Sequence, residues 1–212
     1  MNFNKKTYHQ IKDLIKNQYA SSELMIVSKN RPVDTIMEAL NEGVFLFGEN
    51  KVQEAGMKFE ELRHQFPNID LHLIGPLQTN KVKLAMQIFD TIQTIDREKL
   101  VKEISKNNKD VVRTKNFYIQ INIGNEEQKS GVDEKKTKDF YNFSVSQGLN
   151  VIGLMCIPPN NKDADFYFKK MFDLRNTINP NLLLSMGMSG DYLTALKNQT
   201  NLIRVGSKLF NE

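Results

Sequence analysis

A lysine stands at the end of the first apolar run in the chain. Residues 24–27 read Leu-Met-Ile-Val, and Ser28 and Lys29 come directly after them. A lysine in this position either extends from a loop into solvent or stands in a pocket, where partial desolvation makes the neutral amine accessible. The second environment suits Schiff-base formation with an aldehyde. The residues at the other strand ends must decide between the two.

Two glycine–serine segments near the end of the sequence are suited to an anion. The segment LSMGMSGD places Gly187 two residues before Ser189, ahead of a helical stretch, and the segment IRVGSK places Gly206 beside Ser207. Backbone N–H groups at a helix start, together with a serine hydroxyl and small residues, form anion sites. Two such segments on neighbouring strands predict a phosphate site.

Two further polar residues lie within apolar segments. Arg204, in IRVGS, would be costly to bury without an acceptor, and it forms an ion pair, binds a phosphate or faces a ring nitrogen. The last arrangement occurs in some pyridoxal phosphate (PLP) sites. His72, in LHLIG, is either a hydrogen-bonded core residue or a pocket residue. Neither residue decides the chemistry alone.

Short apolar runs alternate with stretches of helical period along the chain. The runs at 24–28 and 44–48 are continuous, as in strands covered on both faces. This alternation predicts eight strands, of which the first seven lead into helices. An extra helix is predicted at residues 5–19, before the first strand. Such alternation implies parallel strands with right-handed crossovers.

The predicted fold is a single (β/α)8 TIM-type barrel with an extra N-terminal helix, and an open doubly wound sheet is the alternative. No internal linker exceeds the length of a loop, so we expect one domain over residues 1–212. In a barrel, Lys29 would stand at the C-terminal end of the first strand, the face where such folds carry out chemistry.

Charge and cysteine content narrow the function classes. The 29 basic and 25 acidic residues give a net charge of +4 but are interleaved, with basic runs no longer than pairs such as Lys135-Lys136. This pattern argues against nucleic-acid binding. The one cysteine, Cys156, excludes an internal disulfide and is expected to be a small core residue. No stretch has the length of a membrane span or an apolar targeting segment, so we expect a cytoplasmic protein.

Seven segments, in order and across nearly the whole chain, resemble the YggS/PROSC family of PLP-binding homeostasis proteins, whose fold is similar to the N-terminal barrel of bacterial alanine racemase. The segments are VSKNRP, FGENKVQEA, LHLIGPLQTNK, IQINIGNEEQKSG, GLMCIPP, LSMGMSGDY and IRVGSKLF.

The resemblance implies a role for each candidate residue around PLP. Lys29 would form the Schiff base, Asn50 would lie near the ring, and His72 would line the same pocket. Arg204 would face the pyridine nitrogen. Because a guanidinium does not readily release its proton, that nitrogen would stay unprotonated, and the ring would be a poor electron sink for amino-acid chemistry.

The phosphate of PLP would be held by the two glycine–serine segments, through Ser189, Gly206 and Ser207. Three features depart from the family pattern, of which one is the end KLFNE, which lacks the glycine that commonly follows the final Phe. Gly190 stands where many relatives have an acidic residue, which predicts a looser phosphate loop. Gln199 replaces a usual glycine before the last strand, which predicts another shape for that turn.

The function implied is a PLP-binding protein of vitamin B6 homeostasis, without robust catalytic turnover. Racemisation needs acid/base groups on both faces of the substrate Cα, and a lone barrel supplies Lys29 on one face only. Its expected partners are PLP and apo forms of PLP-dependent enzymes, with no nucleic acid and no membrane, and the expected oligomeric state is a monomer.

Two enzyme classes are the alternatives. A weak PLP-dependent amino-acid racemase would obtain its second group by homodimerisation or from Tyr192, which lies near the Ser189 segment. A cofactor-free Schiff-base lyase would use Lys29 on a carbonyl substrate whose phosphate binds the glycine–serine segments. The purified lyase would be colourless.

Overall fold

The computed structural model describes residues 2–108, 112–160 and 163–210. Strands and helices alternate through these residues. The strands are β1 Glu23–Val27, β2 Leu46–Glu49, β3 Asp70–Leu73, β4 Thr91–Ile95, β5 Asn116–Ile121, β6 Val151–Cys156, β7 Leu183–Ser185 and β8 Leu202–Val205.

The helices are α1 Lys5–Gln18, α2 Val33–Asn41, α3 Val52–Gln65, α4 Val82–Ile88, α5 Glu98–Asn107, α6 Thr137–Ser146, α7 Ala164–Ile178 and α8 Tyr192–Lys197. Short 3₁₀ turns at Thr79–Lys81 and Glu134–Lys136 precede α4 and α6. None of these helices combines the length and the apolar content needed to cross a lipid bilayer.

All eight strands are parallel to their neighbours, and β8 pairs with β1, which closes the sheet into a barrel. The register places Met25 beside Arg204 and Gly48 beside His72. The predicted TIM-type barrel is therefore confirmed, and the open sheet is excluded. Because every strand runs in the same direction, the segments that follow the strands gather at one end of the barrel.

The amphipathic sequence of the helices explains how they cover the barrel. In α5, Leu100, Val101 and Ile104 are fully buried, whereas Lys102 and Glu98 are exposed and form an ion pair. The strands that these helices cover consist mostly of buried residues, since both faces of a parallel sheet are covered. All five residues of β4 are buried, including its central polar residue, Gln93.

The predicted extra helix is α1, which begins at Lys5 because the side chain of Asn4 accepts a hydrogen bond from the Thr7 N–H at 3.0 Å. Phe3 forms an antiparallel bridge with Phe210, and the rings of the two residues lie 5.8 Å apart. The segment before α1 is thereby fixed to the segment after β8.

Gln199 lies in the turn between α8 and β8, with a φ of 58°. Its N–H donates to the carbonyl of Leu196 at 3.1 Å, and the residue is exposed. This left-handed conformation costs a residue with a Cβ roughly 1–2 kcal/mol, a cost that glycine does not have. The turn thus keeps the backbone conformation that glycine favours, although glutamine occupies it.

Gln199→Gly is expected to raise the free energy of unfolding by roughly 0.5–1 kcal/mol. Relief of the left-handed strain exceeds the entropy that glycine adds to the unfolded chain, which is about 0.4–1 kcal/mol. Urea denaturation of the two proteins measures the difference. Gln199→Ala is the control, because alanine keeps the Cβ and should give no comparable gain. A destabilised glycine variant would contradict the strain argument.

Candidate functional site

A cavity of about 500 Å³ opens at the carboxyl end of the barrel. Its walls come from the ends of β1, β2, β3, β6, β7 and β8 and the segments that follow them. Six of the seven residues predicted from the sequence line it. They are Lys29, Asn50, Ser189, Arg204, Gly206 and Ser207. Apolar contact surface is supplied by Ile74, Ile157 and Met188.

Lys29 lies in a turn two residues after β1, and it is exposed while lining the cavity. The preceding residue, Ser28, is fully buried, and its carbonyl accepts hydrogen bonds from the Arg31 N–H at 3.1 Å and from Lys58 Nζ at 3.0 Å. The backbone on the N-terminal side of Lys29 is therefore anchored, and the side chain is left at the mouth of the cavity.

A charged cluster beneath this turn, which we call the turn cluster, comprises Glu49, Glu54 and Lys58. Lys58 Nζ lies 3.1 Å from Glu49 Oε1 and 2.5 Å from Glu54 Oε1. The Ser28 hydroxyl donates to Glu49 Oε1 at 2.7 Å, and the Asn30 N–H donates to Glu54 Oε1 at 2.7 Å. Both residues that flank Lys29 are thus held by the turn cluster.

The two carboxyls of the turn cluster have opposite pKa shifts. Burial raises the pKa of Glu49, and the hydrogen bond from Ser28 and the charge of Lys58 offset this only in part. Glu49 Oε2 is buried and has no hydrogen-bond partner among the residues that the structure describes. Burial also acts to raise the pKa of Glu54, but the hydrogen bonds from Lys58 and Asn30 outweigh it, so that pKa is lowered.

The stability of Glu49→Gln relative to the wild type is expected to increase as pH rises from about 4 to 7. A raised pKa in the folded state means that Glu49 contributes stability below its unfolded value, about 4.3, and loses it as pH rises through the folded value. Glutamine has no such dependence. Melting temperatures of both proteins across this pH range measure the difference.

Glu54→Gln is the matched control for this prediction, with the opposite trend. Because the folded pKa of Glu54 is lowered, its contribution is present above the unfolded value and is lost as pH falls through the folded value. This variant should therefore become relatively less stable as pH rises. Parallel curves for the two variants would contradict the assigned shifts.

Two loops, after β7 and after β8, meet at the cavity. The Gly206 N–H donates to Ser189 Oγ at 3.3 Å. The loop after β7 is closed by Asp191, whose side chain accepts from the Met188 N–H at 2.6 Å. Asp191 therefore holds this loop although Gly190 lacks a side chain. Ser189 and Ser207, one on each loop, both line the cavity.

One glycine in these loops is required by the backbone, and a second lies where two strand ends approach closely. Gly187 has a φ of 94°, and a Cβ there would lie 2.5 Å from the Cβ of Ala195 in α8. A Cβ on Gly206 would lie 3.2 Å from both the Cβ and the carbonyl oxygen of Val27. The loop after β8 thus passes close to the end of β1, which brings the glycine–serine segment near the Lys29 turn.

Arg204 is a buried cation at the cavity wall, with only 3% of its surface exposed. It donates to Ser185 Oγ and to the carbonyl of Cys156, each at 2.8 Å. Within the described ranges it forms no ion pair. Burial lowers the pKa of the guanidinium, which nonetheless stays protonated at neutral pH. The cavity therefore faces a positive charge that is held by neutral groups.

His72 is the one predicted residue that the structure does not bring to this cavity. It lies in β3, and its Nδ1 is 2.7 Å from Gln93 Nε2 inside the barrel. Alternate residues of a strand share a face and lie roughly 7 Å apart. Ile74, two residues further along, takes the place at the cavity wall. His72 instead borders a smaller cavity of about 270 Å³ that lies elsewhere and includes Asp70 and Tyr118.

Neither of two further candidates, Tyr192 and Cys156, lines the cavity. Lys208 Nζ lies 5.2 Å from the centre of the Tyr192 ring. Cys156 is fully buried, and burial raises the pKa of its thiol to about 12, as suits an unreactive core residue. The part of the chain that the structure describes holds no group of three or more metal-ligating side chains.

The cavity combines an amine, a buried cation and two hydroxyls in a volume that holds one small molecule. The amine can react with a carbonyl, the cation can face an acceptor or an anion, and the hydroxyls can bind a phosphate. PLP carries an aldehyde, an aromatic nitrogen and a phosphate, so its three functional groups fit the residues present.

Comparison with known proteins agrees with this chemistry. The family model of the alanine racemase N-terminal domain matches residues 5–212. A pyridoxal phosphate homeostasis protein of Aquifex aeolicus is 36% identical over 200 residues, covering 90% of this chain and 87% of that protein. The corresponding protein of Vibrio alginolyticus is 35% identical, with 90% and 86% covered.

Solved structures of similar proteins also include one with PLP bound and others that share the fold. PipY of Synechococcus elongatus, solved with PLP bound, is 31% identical and has a TM-score of 0.82, covering 96% of this chain and 99% of that one. Alanine racemase of E. faecalis, 15% identical with a TM-score of 0.67, shares the fold over 94% of this chain and 56% of its own. The chain therefore belongs to the alanine racemase N-terminal domain family and, within it, to the pyridoxal phosphate homeostasis proteins.

Proposed function

We propose that this protein binds PLP as a Schiff base on Lys29 and serves PLP homeostasis without robust catalytic turnover. The observation that carries the proposal is the convergence of the Lys29 amine, the buried Arg204 cation and the serine hydroxyls on one cavity. A relative of the same fold, PipY, has been solved with PLP bound.

Lys29 provides the covalent link. The Lys29 amine would condense with the aldehyde that bound PLP would supply, forming a C=N bond with loss of the carbonyl oxygen as water. The exposure of Lys29 at the cavity mouth leaves the amine accessible to a cofactor that enters from solvent. The turn cluster keeps the backbone on both sides of Lys29 in place.

Arg204 and Asn50 are assigned to the ring. A guanidinium donates hydrogen bonds and accepts none, so Arg204 stabilises a ring nitrogen that keeps its lone pair. Such a ring withdraws electrons weakly, which favours holding PLP over amino-acid chemistry. Asn50, directly after β2, also lines the cavity, which supports its assignment to the ring.

Ser189, Gly206 and Ser207 are assigned to the phosphate. The contact between the Gly206 N–H and Ser189 Oγ joins the two loops, so the hydroxyls approach an anion from both loops. A hydrogen bond to a charged group contributes roughly 1.5–3 kcal/mol. This end of the cavity therefore supplies much of the non-covalent affinity.

The set of side chains at the cavity supports a carrier over a racemase. Among its described lining residues, Lys29 is the one lysine, and no tyrosine, histidine or carboxylate is present to act on the opposite face of a substrate. We further propose that the chain acts as one PLP-binding domain in the cytoplasm and delivers PLP to apo forms of other enzymes.

A monomer is part of the proposal. The large apolar residues that are exposed, such as Met57, Val145 and Phe166, lie on separate helices and do not point to one interface. Light scattering should give a mass near the 24.5 kDa of the chain. A mass of twice this value would contradict the monomer and reopen the possibility of a second acid/base group from a partner.

The proposal as a whole is tested by absorbance and mass spectrometry. Purified protein loaded with PLP should show a Schiff-base band that borohydride removes, with the reduced adduct on the peptide that contains Lys29. A protein that stays colourless and takes up no added PLP would overturn the proposal. The lyase alternative would then lead, and phosphorylated carbonyl compounds would be tested as borohydride-trapped ligands.

A further inference from the structure

A row of hydrogen bonds leads from Arg204 into the interior of the barrel. The guanidinium lies 2.8 Å from Ser185 Oγ, which lies 2.7 Å from Gln93 Oε1. Gln93 Nε2 lies 2.7 Å from His72 Nδ1, and His72 Nε2 lies 3.1 Å from Asp70 Oδ1. We call Arg204, Ser185, Gln93 and His72 the polar chain.

The polar chain crosses the barrel interior. Gln93 belongs to β4 and Ser185 to β7, two strands that are not neighbours in the sheet. Gln93 and Ser185 are fully buried, and 6% of His72 is exposed. Buried polar groups need their partners, since a lost partner costs more than an ordinary hydrogen bond gains. These side chains therefore constrain one another.

The residues at the two ends of the polar chain determine which atom donates in each of its hydrogen bonds. Arg204 can only donate, so Ser185 Oγ accepts from it and directs its own hydrogen to the carbonyl oxygen of Gln93. At the other end, His72 Nε2 has no aligned hydrogen bond within the described part of the chain, but it faces the Asp70 carboxylate, which favours a proton on that nitrogen. A neutral imidazole then has a lone pair on Nδ1, which accepts from the Gln93 amide.

The reverse orientation of the Gln93 amide is unfavourable at both of its contacts, with Ser185 and with His72. A flipped amide would present N–H groups to Ser185, leaving the serine hydrogen without its acceptor. It would also require a proton on His72 Nδ1, and the neutral ring would then point a lone pair at the Asp70 carboxylate. With a neutral imidazole, one orientation of the Gln93 amide gives both the Ser185 hydroxyl an acceptor and His72 Nδ1 a donor.

We propose that Gln93 is a positioning residue for the PLP ring, acting through Ser185 on Arg204, with His72 fixing the orientation of its amide. This inference rests on the proposed function. Gln93 holds the Ser185 hydroxyl so that its oxygen faces Arg204, and the guanidinium is thereby fixed at two points, Ser185 Oγ and the Cys156 carbonyl. The remaining N–H groups then keep one direction at the cavity wall.

Gln93→Leu tests the proposal, because leucine fills a similar volume without hydrogen bonds. Thr114→Val is the matched control. Its hydroxyl is buried and donates to the carbonyl of Phe89 at 2.7 Å, away from both the polar chain and the cavity. Both variants lose buried hydrogen bonds, so lower melting temperatures are expected in both. Only Gln93→Leu should change how PLP is held.

The first readout is the ¹⁵N chemical shift of the ring nitrogen in bound, ¹⁵N-labelled PLP. It should report an unprotonated nitrogen in the wild type and in Thr114→Val, and a shift toward the protonated form in Gln93→Leu. The dissociation constant of PLP should rise about five- to tenfold in Gln93→Leu, as for one hydrogen bond. An unchanged shift in Gln93→Leu would overturn the proposal.

The second readout needs no cofactor. In the apoprotein above neutral pH, ¹⁵N NMR of the histidines, assigned with His72→Asn, should show His72 protonated on Nε2 and not on Nδ1. A proton on Nδ1 would overturn the direction of the polar chain, and with it the proposal. If the wild type takes up no PLP, the proposed function fails, while the His72 tautomer still decides whether the polar chain has the assigned direction.

Discussion

Lys29→Ala is expected to abolish the borohydride-reducible PLP adduct and to leave the barrel folded. The amine is the group that forms the C=N bond, whereas the side chain is exposed and contributes little to the core. Intact mass spectrometry after reduction measures the adduct, and circular dichroism and the melting temperature report the fold. We expect no adduct on the variant and a melting temperature close to that of the wild type.

Lys51→Ala is the matched control for this experiment. Lys51 is also exposed and follows Asn50, which lines the cavity, but Lys51 itself does not line it. This variant should keep a full adduct. If Lys29→Ala retained a stoichiometric adduct on another lysine, the assignment of the reactive amine would be wrong. Adducts on both variants at many sites would instead indicate unspecific reaction of PLP with surface lysines.

Lys29→Ala should still bind PLP without a covalent bond. Arg204 and the Ser189–Gly206 contact do not depend on the Lys29 side chain, so the ring and phosphate contacts remain available. Equilibrium dialysis should therefore detect weaker, reversible binding. This residual affinity separates the contribution of the Schiff base from that of the non-covalent contacts.

The barrel and most of the cavity could be predicted from the sequence because parallel topology is a strong constraint. Once strands and helices alternate, every strand end reaches the same face. Lys29, Ser189 and Gly206 follow β1, β7 and β8 within a few residues, so their meeting follows from the fold alone. The glycines add a local signal, since they mark close approach of the backbone.

The structure places His72 away from the cavity, and the sequence does not indicate this because alternation along a strand predicts the face of a residue but not its depth in the barrel. Alternation predicts which face of β3 a residue occupies, and His72 and Ile74 share that face. Which of them reaches the cavity depends on the stagger between strands, and the pairing of His72 with Gly48 places it one layer deeper. The residue immediately after the strand, as with Asn50 after β2, is the better predictor.

The supporting groups were missed for a related reason. Gln93 in Thr-Ile-Gln-Thr-Ile and Ser185 in Leu-Leu-Ser are polar residues in otherwise apolar strands, a signal that indicates a buried partner. That partner lies on the other side of the barrel, so its identity depends on how the barrel closes. The ion pair between Glu49 and Lys58, nine residues apart, likewise depends on how α3 leaves β2.

Ser207→Ala is expected to weaken PLP binding by roughly 1.5–3 kcal/mol, the value of one hydrogen bond to a charged group. At 1.36 kcal/mol per factor of ten, this is roughly a 10- to 150-fold rise in the dissociation constant. Ser207 lines the cavity at the end where the two glycine–serine segments meet, and it is exposed, so its removal should not disturb the core. Fluorescence or absorbance titration measures the change.

Pyridoxal, which lacks the phosphate, is the matched ligand for this variant. Because Ser207 is assigned to the phosphate, the wild type and Ser207→Ala should bind pyridoxal equally, and the difference between them should appear only with PLP. The binding affinities of Ser189→Ala should differ from those of the wild type and of Ser207→Ala. Ser189→Ala also removes the acceptor for the Gly206 N–H and so loosens the two loops. If Ser207→Ala lost equal affinity for PLP and for pyridoxal, the assignment of this serine to the phosphate would be wrong. The hydroxyl would then act on the ring or on the shape of the cavity.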